Sequence, residues 1–505
     1  MNTPSHPKIS RRRFMQAAGA ASAGLALGPY WGFGKISVAK PLRRDMGRMH
    51  FEATTLGLGG QASLQWTPAD VDPVKIILKA FDLGISYFDT SNAYGPSQTN
   101  FGKAFRELKL IPGEAGYDES RRRGIFLTSK TMLRWGKGGS TKEDVRSFSD
   151  GPAGSHAIDD VKRTLTQIFG DGKGSYPPGA YLDMVLSHNL TTLAEVEAVY
   201  EGLDKPDPGA ENIGTLAALL DYRDGTNRTG LNPKEEKLIR HLGFSGHHSP
   251  PVMIEMLQRD ERNIFDGMLV AINANDRLHF NMQHNIIPIA AAKGMGIIAM
   301  KVFADGAMYT KEAVWSRKPE HVVRIVGSDA LPSRQLVEYS LSTPGIGTAI
   351  IGTGQIAEDS KACQLHQNLS AAQIAPNGLS AADRRAIEKM TSAVKDGKTN
   401  WFQLPKQDLT PPREAKVEQE MREGKRLVHL KWQTAYAGDE PIAHYEIWRD
   451  HQKVNQVAHK PQTSKQPFEF ADAVRDKAAH TYQIATIDAA GRKAPTEELQ
   501  VPTVA

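Results

Sequence analysis

Eight short apolar runs, separated by segments of helical periodicity, constrain this chain more than any other feature of its sequence. They are TLGLG (55–59), SYFDT (86–90), IFLTSK (125–130), LDMVLSH (182–188), RHLGFSG (240–246), DGMLVAIN (266–273), GIIAMKV (296–302) and GTAIIGT (347–353). Amphipathic stretches such as DPVKIILKAFDLG (72–84) and SHAIDDVKRTLTQIFG (155–170) lie between them. Near-continuous apolar strands alternating with amphipathic helices predict a parallel sheet covered on both faces. Eight such units in roughly 320 residues suit a (β/α)8 TIM barrel of about 250 residues with insertions. A doubly wound sheet is the alternative. In a barrel, function gathers at the C-terminal ends of the strands, where Asp89, Lys130, His188 and Ser245 stand.

The stretch AIIGTGQIAED (349–359) has the glycine spacing of a dinucleotide-binding turn. In a doubly wound fold that turn follows the first strand, and an acidic residue ends a second strand about 20 residues later. Here it follows the eighth run, and KACQLHQNLSAAQIAPNG (361–378) contains no strand. It is read as the last βα turn of the barrel. The physics is shared: glycines let backbone N–H groups approach a phosphate, and the helix start favours its charge.

Three polar stretches, 132–154, 200–236 and 303–332, read as insertions above the barrel mouth, since loops of this length are functional or mobile. A helix over 379–394, with Ser380 as its cap, closes a domain that spans 46–398. The next residues, 399–414, include the proline-rich LPKQDLTPPREA (404–415) and predict a linker. From 415 to 505, apolar and polar residues alternate in RLVHLKWQ, IAHYEIWRD and HTYQIATID, which predicts a small antiparallel β-sandwich. Trp432, Tyr445 and Tyr482 are its expected core. With its initial PP, early Trp and late TYQIATIDAAGR, this segment resembles an immunoglobulin-like fibronectin type III module. Such modules often mediate protein or polysaccharide contact.

The formal charge of +5 resides in residues 1–39, which hold Lys8, Arg11, Arg12, Arg13 and Lys35 and no acidic residue. Without them, basic and acidic side chains are equal in number, which argues against a nucleic-acid partner. SRRRFMQ (10–16), the mildly apolar AAGAASAGLALG (17–28) and Ser37-Val38-Ala39 read together as a twin-arginine signal peptide with a cleavage site. They predict a periplasmic or otherwise exported protein with no integral membrane span once the signal is removed. One cysteine, Cys363, rules out an intrachain disulfide and a cysteine-rich metal site. The histidines of GFSGHH (243–248) and LHFNMQH (278–284) lack metal-ligand spacing with a carboxylate, so no metal is expected.

The stretch LGISYFDTSNAYGPSQTNFGKAF (83–105) carries the most chemistry. Asp89 ends one strand and Tyr94 follows five residues on; Lys130 and His188 end the third and fourth runs. On a barrel the four can converge. A free phenol has a pKa of about 10, and an adjacent ammonium favours phenolate, lowering it by roughly 1–3. Asp89 would orient Lys130, His188 would direct the substrate oxygen, and Tyr94 would move the proton as general acid or base. Trp66, Trp135, Phe303 and Tyr309 are candidate walls of an aromatic substrate pocket.

LGLGG (56–60), YFDTSNAYG (87–95), LTSKT (127–131), LSHN (186–189), GFSGHH, GIIAMKVF (296–303) and AIIGTG (349–354) resemble the aldo-keto reductase superfamily over residues 46 to 395. The resemblance implies a (β/α)8 barrel with nicotinamide cofactor laid across its mouth, and the family's catalytic residues carry over to Asp89, Tyr94, Lys130 and His188. It implies cofactor contacts from Gly60, Ser245, Lys301, Phe303, Gly306, Gly352, Thr353, Gly354 and Gln355. Ser245 would hold the carboxamide, and the Lys301–Gly306 turn and Gly352–Gln355 would face the pyrophosphate and adenosine half. The family's cation for the 2′-phosphate has no match after the eighth run, where Gly354 and Gln355 stand near Glu358 and Asp359. NADP is favoured over NAD on family grounds alone. The expected function is hydride transfer between bound NAD(P) and an aldehyde, ketone or sugar-like carbonyl. Export implies that the cofactor is loaded first and released slowly. The alternative is a nucleotide- or carbohydrate-binding protein that keeps the barrel without turnover.

Overall fold

A computed structural model describes residues 40–504. The predicted twin-arginine segment, 1–39, lies outside the described residues. Eight parallel strands close into a barrel: β1 (Leu56–Leu58), β2 (Tyr87–Asp89), β3 (Phe126–Thr131), β4 (Leu182–Ser187), β5 (Ile239–Gly246), β6 (Gly267–Ala271), β7 (Gly296–Met300) and β8 (Ile346–Ile351). Each pairs in parallel with its sequence neighbour, and β8 returns to β1 through Ala349↔Leu56. All eight predicted runs are strands, and closure excludes the doubly wound alternative. Apart from Arg240 and His241 at the start of β5, every barrel-strand residue is buried, as a sheet covered on both faces requires.

The N-terminal end of the barrel is plugged. A hairpin, Arg43–Asp45 with Glu52–Thr54, encloses a short turn that carries Met46 and Met49 beneath the strands. Gly296 and Gly347, at the starts of β7 and β8, leave room for those methionines: a Cβ at Gly296 would lie 2.0 Å from the Met49 methyl, and one at Gly347 would lie 2.4 Å from the Met46 sulfur. Helices fill the crossovers. Asp72 caps Pro73–Asp82 by accepting from the amides of Val74 and Lys75, and Ser380 forms the expected capping box with Asp383 at the start of Ala381–Ser392. The insertion after β3 pairs with the one after β4 as a two-stranded ribbon, Trp135–Lys137 with Ile213–Gly214.

The C-terminal residues form two antiparallel sheets. β9 (Arg413–Arg422), β10 (Lys425–Gln433) and β13 (Phe468–Val474) make one. β11 (Ile442–Arg449), β12 (Gln452–Ala458), β14 (His480–Asp488), β15 (Lys493–Pro495) and β16 (Leu499–Val501) make the other, in the order β12-β11-β14-β15 with β16 also on β14. Trp432, Tyr445 and Tyr482 are fully buried between the sheets. The sandwich is docked on the barrel. Ala437 and Asn285 exchange two hydrogen bonds of 2.8 and 3.1 Å, Gln258 donates to the Gln462 carbonyl, and Arg277 pairs with Glu440.

Residues 399–403, read from sequence as the start of a linker, are packed against the barrel. Asn400 and Asn273 bond each other in both directions at 2.8 and 2.9 Å, Asn275 donates to Thr399, and Gln403 donates to Asp276. The pattern of prolines and polar residues did not reveal that Trp401-Phe402 supplies an apolar anchor, with Phe402 fully buried. Among the described residues, no helix is long and apolar enough to cross a membrane.

Candidate active site

Strand direction brings the four predicted residues to one place. β2 ends on Asp89, and the chain then turns so that Tyr94 stands over the neighbouring strand. Lys130 is the penultimate residue of β3, aligned with Leu186 of β4, and His188 follows β4 directly. The Lys130 ammonium donates to Asp89 Oδ1 at 2.6 Å, to the Thr90 carbonyl at 2.8 Å and to the Tyr94 hydroxyl at 3.4 Å. The rings of Tyr94 and His188 meet edge to face with centroids 5.7 Å apart, and Ser91 Oγ lies 3.3 Å from His188 Nδ1. All four side chains are buried.

Burial governs the electrostatics. His188 titrates well below the usual imidazole range, first because it is buried and then because Lys130, Arg134, Arg146 and Lys301 are near; it is neutral at physiological pH. Sequence reasoning expected Lys130 to lower the Tyr94 phenol. The structure reverses that direction: burial, with the Asp89 and Asp305 carboxylates, pushes the phenol well above its usual value. Taking a phenolate out of water is the largest cause, because burial disfavours the charged form.

An elongated cleft starts at Asp89 and Tyr94, passes the turn after β1 at Gly60 and the turn after β7, and reaches Gly352 and Gln364 beyond β8. Of the predicted cofactor residues, Gly60, Lys301, Phe303, Gly306 and Gly352 line it. Gly60 is required there, since a Cβ would lie 2.4 Å from the Asp89 carbonyl. Lys301, Ala304 and Asp305 all have positive φ, at 61°, 50° and 58°. Strained turns of this kind concentrate at functional sites.

The other predicted contacts lie off the cleft wall. Ser245 is fully buried, and its Oγ accepts from the Asn189 amide at 2.8 Å; the neighbouring Asn189 carboxamide oxygen is buried without a partner. The Gly354 amide donates to Gln364, and Thr353 Oγ1 is buried and unpartnered, as is the Asn368 carboxamide. Gln355 accepts from Arg324 Nε at 3.0 Å. An elongated cleft with a glycine floor suits an extended dinucleotide, whose phosphates can approach backbone N–H groups where no side chain intervenes.

The loop after β7 crosses this cleft. Val323 sits over both Gly306 and Gly354, where a Cβ at either would approach it to 2.3 Å. Arg324 then makes a two-pronged bond to Asp70 at 3.0 and 2.9 Å. Sequence reasoning found no cation near Gly354 and Gln355; Arg324 arrives from 31 residues upstream, a distance no local pattern encodes. Of the predicted aromatic walls, Phe303 lines the cleft and Tyr309 packs on it. Trp135 instead anchors the side ribbon, donating to Glu201. Trp315 and Trp401, not predicted, stack edge to face at 4.3 Å beside Lys301, and Trp315 meets His247. Among the described residues, no group of His, Cys, Asp and Glu is arranged to hold a metal.

Residues 55–153 match the model of the aldo/keto reductase family. A 54-residue stretch is 44% identical to L-glyceraldehyde 3-phosphate reductase of Escherichia coli K12, covering 8% of this chain and 16% of that protein. The chain thus matches about a sixth of the length of this curated relative. Among solved structures, an aldo/keto reductase from Klebsiella pneumoniae in complex with NADP and acetate aligns over 70% of this chain and 96% of its own, with 16% identity and a TM-score of 0.41. A Bombyx mori aldo-keto reductase in complex with NADP aligns over 70% and 93%, with 14% identity and a TM-score of 0.42.

Proposed function

We propose that this chain is an NAD(P)-dependent oxidoreductase of the aldo/keto reductase family, acting on an aldehyde, ketone or sugar-like carbonyl. The observation that carries the reading is the buried cluster in which Lys130 touches both Asp89 and the Tyr94 hydroxyl at the end of a cleft built for a dinucleotide.

The cofactor, when bound, supplies the hydride. Gly60, the turn from Lys301 to Gly306, and Gly352 would hold it, with Asn189 at the nicotinamide end and Thr353, Gln355 and Asn368 at the other. The protein's own part is to place the carbonyl and move one proton. Neutral His188, in the tautomer with its proton on Nε2 and Nδ1 accepting from Ser91, would direct the substrate oxygen. Tyr94, protonated at neutral pH as a phenol is, gives its proton to that oxygen as negative charge develops there. Lys130 stabilises the phenolate left behind, and Asp89 keeps Lys130 charged in a site from which water is excluded. General acid catalysis of this kind contributes about 10²- to 10⁴-fold. Trp315 and Trp401 form an aromatic wall for the substrate.

We further propose that the protein is exported by the twin-arginine route, on the strength of SRRRFMQ. The strap from Val323 to Arg324 would retain nucleotide loaded beforehand. The fibronectin type III reading of the C-terminal sandwich is supported by a strand order that separates the first, second and fifth strands from the third, fourth, sixth, seventh and eighth. Its proposed role is contact with a protein or polysaccharide. The test is direct: the purified chain is mixed with NADPH or NADH and a panel of short aldehydes and aldoses, and loss of reduced nicotinamide is followed. Carbonyl-dependent oxidation supports the proposal. Tight nucleotide binding without oxidation by any carbonyl contradicts it.

A further inference from the structure

Two successive carbonyls, those of His188 and Asn189, converge on one buried guanidinium. Arg134 donates to the His188 carbonyl at 2.8 Å and to the Asn189 carbonyl at 3.3 Å. Arg146 also donates to the Asn189 carbonyl. The two carbonyls can point the same way because Asn189 is left-handed, at φ 52°. Asparagine is one of the few non-glycine residues that adopt that conformation routinely, and aligned carbonyl dipoles repel unless a cation joins them.

The cation is itself held. Arg134 and Glu195 are both completely buried, 3.2 Å apart. Glu195 also takes Arg146 Nε at 3.0 Å and the Thr191 amide at 2.8 Å. It lies in the first turn of helix Leu193–Tyr200, capped by Thr192, where the helix dipole favours its charge. A buried ion pair is a poor source of net stability, and this one spends two of its guanidinium donors on backbone at the His188 turn.

We propose that Arg134, seated on Glu195, is a positioning residue that fixes the backbone turn carrying His188 and thereby the direction of the imidazole towards the substrate oxygen. This rests on the proposed role of His188. The planar fork matters: Arg spans two carbonyls at once, and the point charge of Lys cannot. Burial of the clamp also surrounds His188 with fixed positive charge, consistent with its neutral state.

The test uses the whole chain and the paired variant Arg134→Met/Glu195→Leu, which removes both buried charges together and so avoids stranding one of them. The expected result is a chain that still folds, with a lower thermal midpoint because Arg146 and the Thr191 amide lose Glu195, a kcat lower by about 30- to 100-fold, and shifted or broadened ring signals of His188 in ¹⁵N-histidine spectra. A folded paired variant with wild-type kcat and unmoved His188 signals overturns the proposal. Should that variant not fold, Arg134→Lys decides: it keeps the charge and loses the fork, a fall in kcat of about tenfold or more is expected, and wild-type turnover overturns the clamp. If the wild-type chain turns over no carbonyl, the functional reading fails separately. The His188 signals then judge the clamp alone, and unmoved signals overturn it.

Discussion

Lys130 Nζ lies 3.4 Å from the Tyr94 hydroxyl and only 2.6 Å from Asp89 Oδ1. The ammonium belongs to the carboxylate first and to the phenol second. Burial first, and then the Asp89 and Asp305 carboxylates, push the phenol further above its usual value, so Tyr94 is protonated throughout the neutral range.

The pH dependence of reduction follows. An acid whose pKa is raised keeps its proton further into alkaline solution, so the rate of carbonyl reduction should not decline through loss of that proton between about pH 7 and pH 9. Steady-state rates with saturating NADPH across that range test it. A descending limb centred near pH 8, abolished by Tyr94→Phe, would show that the phenol is acidified instead.

The junction between barrel and sandwich holds a narrow crevice lined by His284 and His459 among others. Burial holds both imidazoles down at about 4. When unfolded they titrate near 6.5, so between about pH 6.5 and pH 4 the unfolded chain binds more protons and stability falls as pH falls. Each histidine contributes at most about 1.4 kcal/mol per pH unit. Denaturant melts of wild type and His284→Gln at pH 7, 6 and 5 should show a shallower acid loss in the variant. Equal slopes would mean that His284 titrates normally.

Arg324, joined to Asp70 and Gln355 by three hydrogen bonds, latches the loop after β7 across the cleft. Arg324→Ala should release bound nucleotide severalfold faster in a stopped-flow chase. The modest size is expected because the Asp70 end is exposed to solvent, where ion pairs are weak. An unchanged release rate would mean that the loop is held by Val323 packing alone.

Asn400 ties the segment bearing Trp401 to the barrel through its reciprocal bonds with Asn273. Asn400→Ala leaves Asn273 short of partners in a dry site, and a loss of about 1–3 kcal/mol is expected by urea denaturation. Retention of full stability would show that Trp401 and Phe402 hold the segment without it.

Much of this was legible in the sequence. The eight strands announced themselves because a sheet covered on both faces needs unbroken apolar runs, and Asp89, Lys130 and His188 stood at run ends, where strand direction alone brings them together. Tyr94 needed only the next turn. What escaped was non-local. Arg324 reaches Gln355 from a loop without periodicity, and Trp401 sat in a polar stretch that looked like a tether. Residue types at run ends also say nothing of how deeply a phenol is buried, and burial is what pushes Tyr94 up. Ser245 reads as a strand-end contact, yet its hydroxyl is spent on the Asn189 amide.

The central claim is that residue 94 supplies the proton, and Tyr94→Phe measures it most directly. The variant, loaded with NADPH and mixed with an aldehyde that wild type reduces, should keep its nucleotide affinity within about threefold and lose about 10²-fold or more of the single-turnover rate. A variant that binds NADPH normally and oxidises it at the wild-type rate would contradict the account.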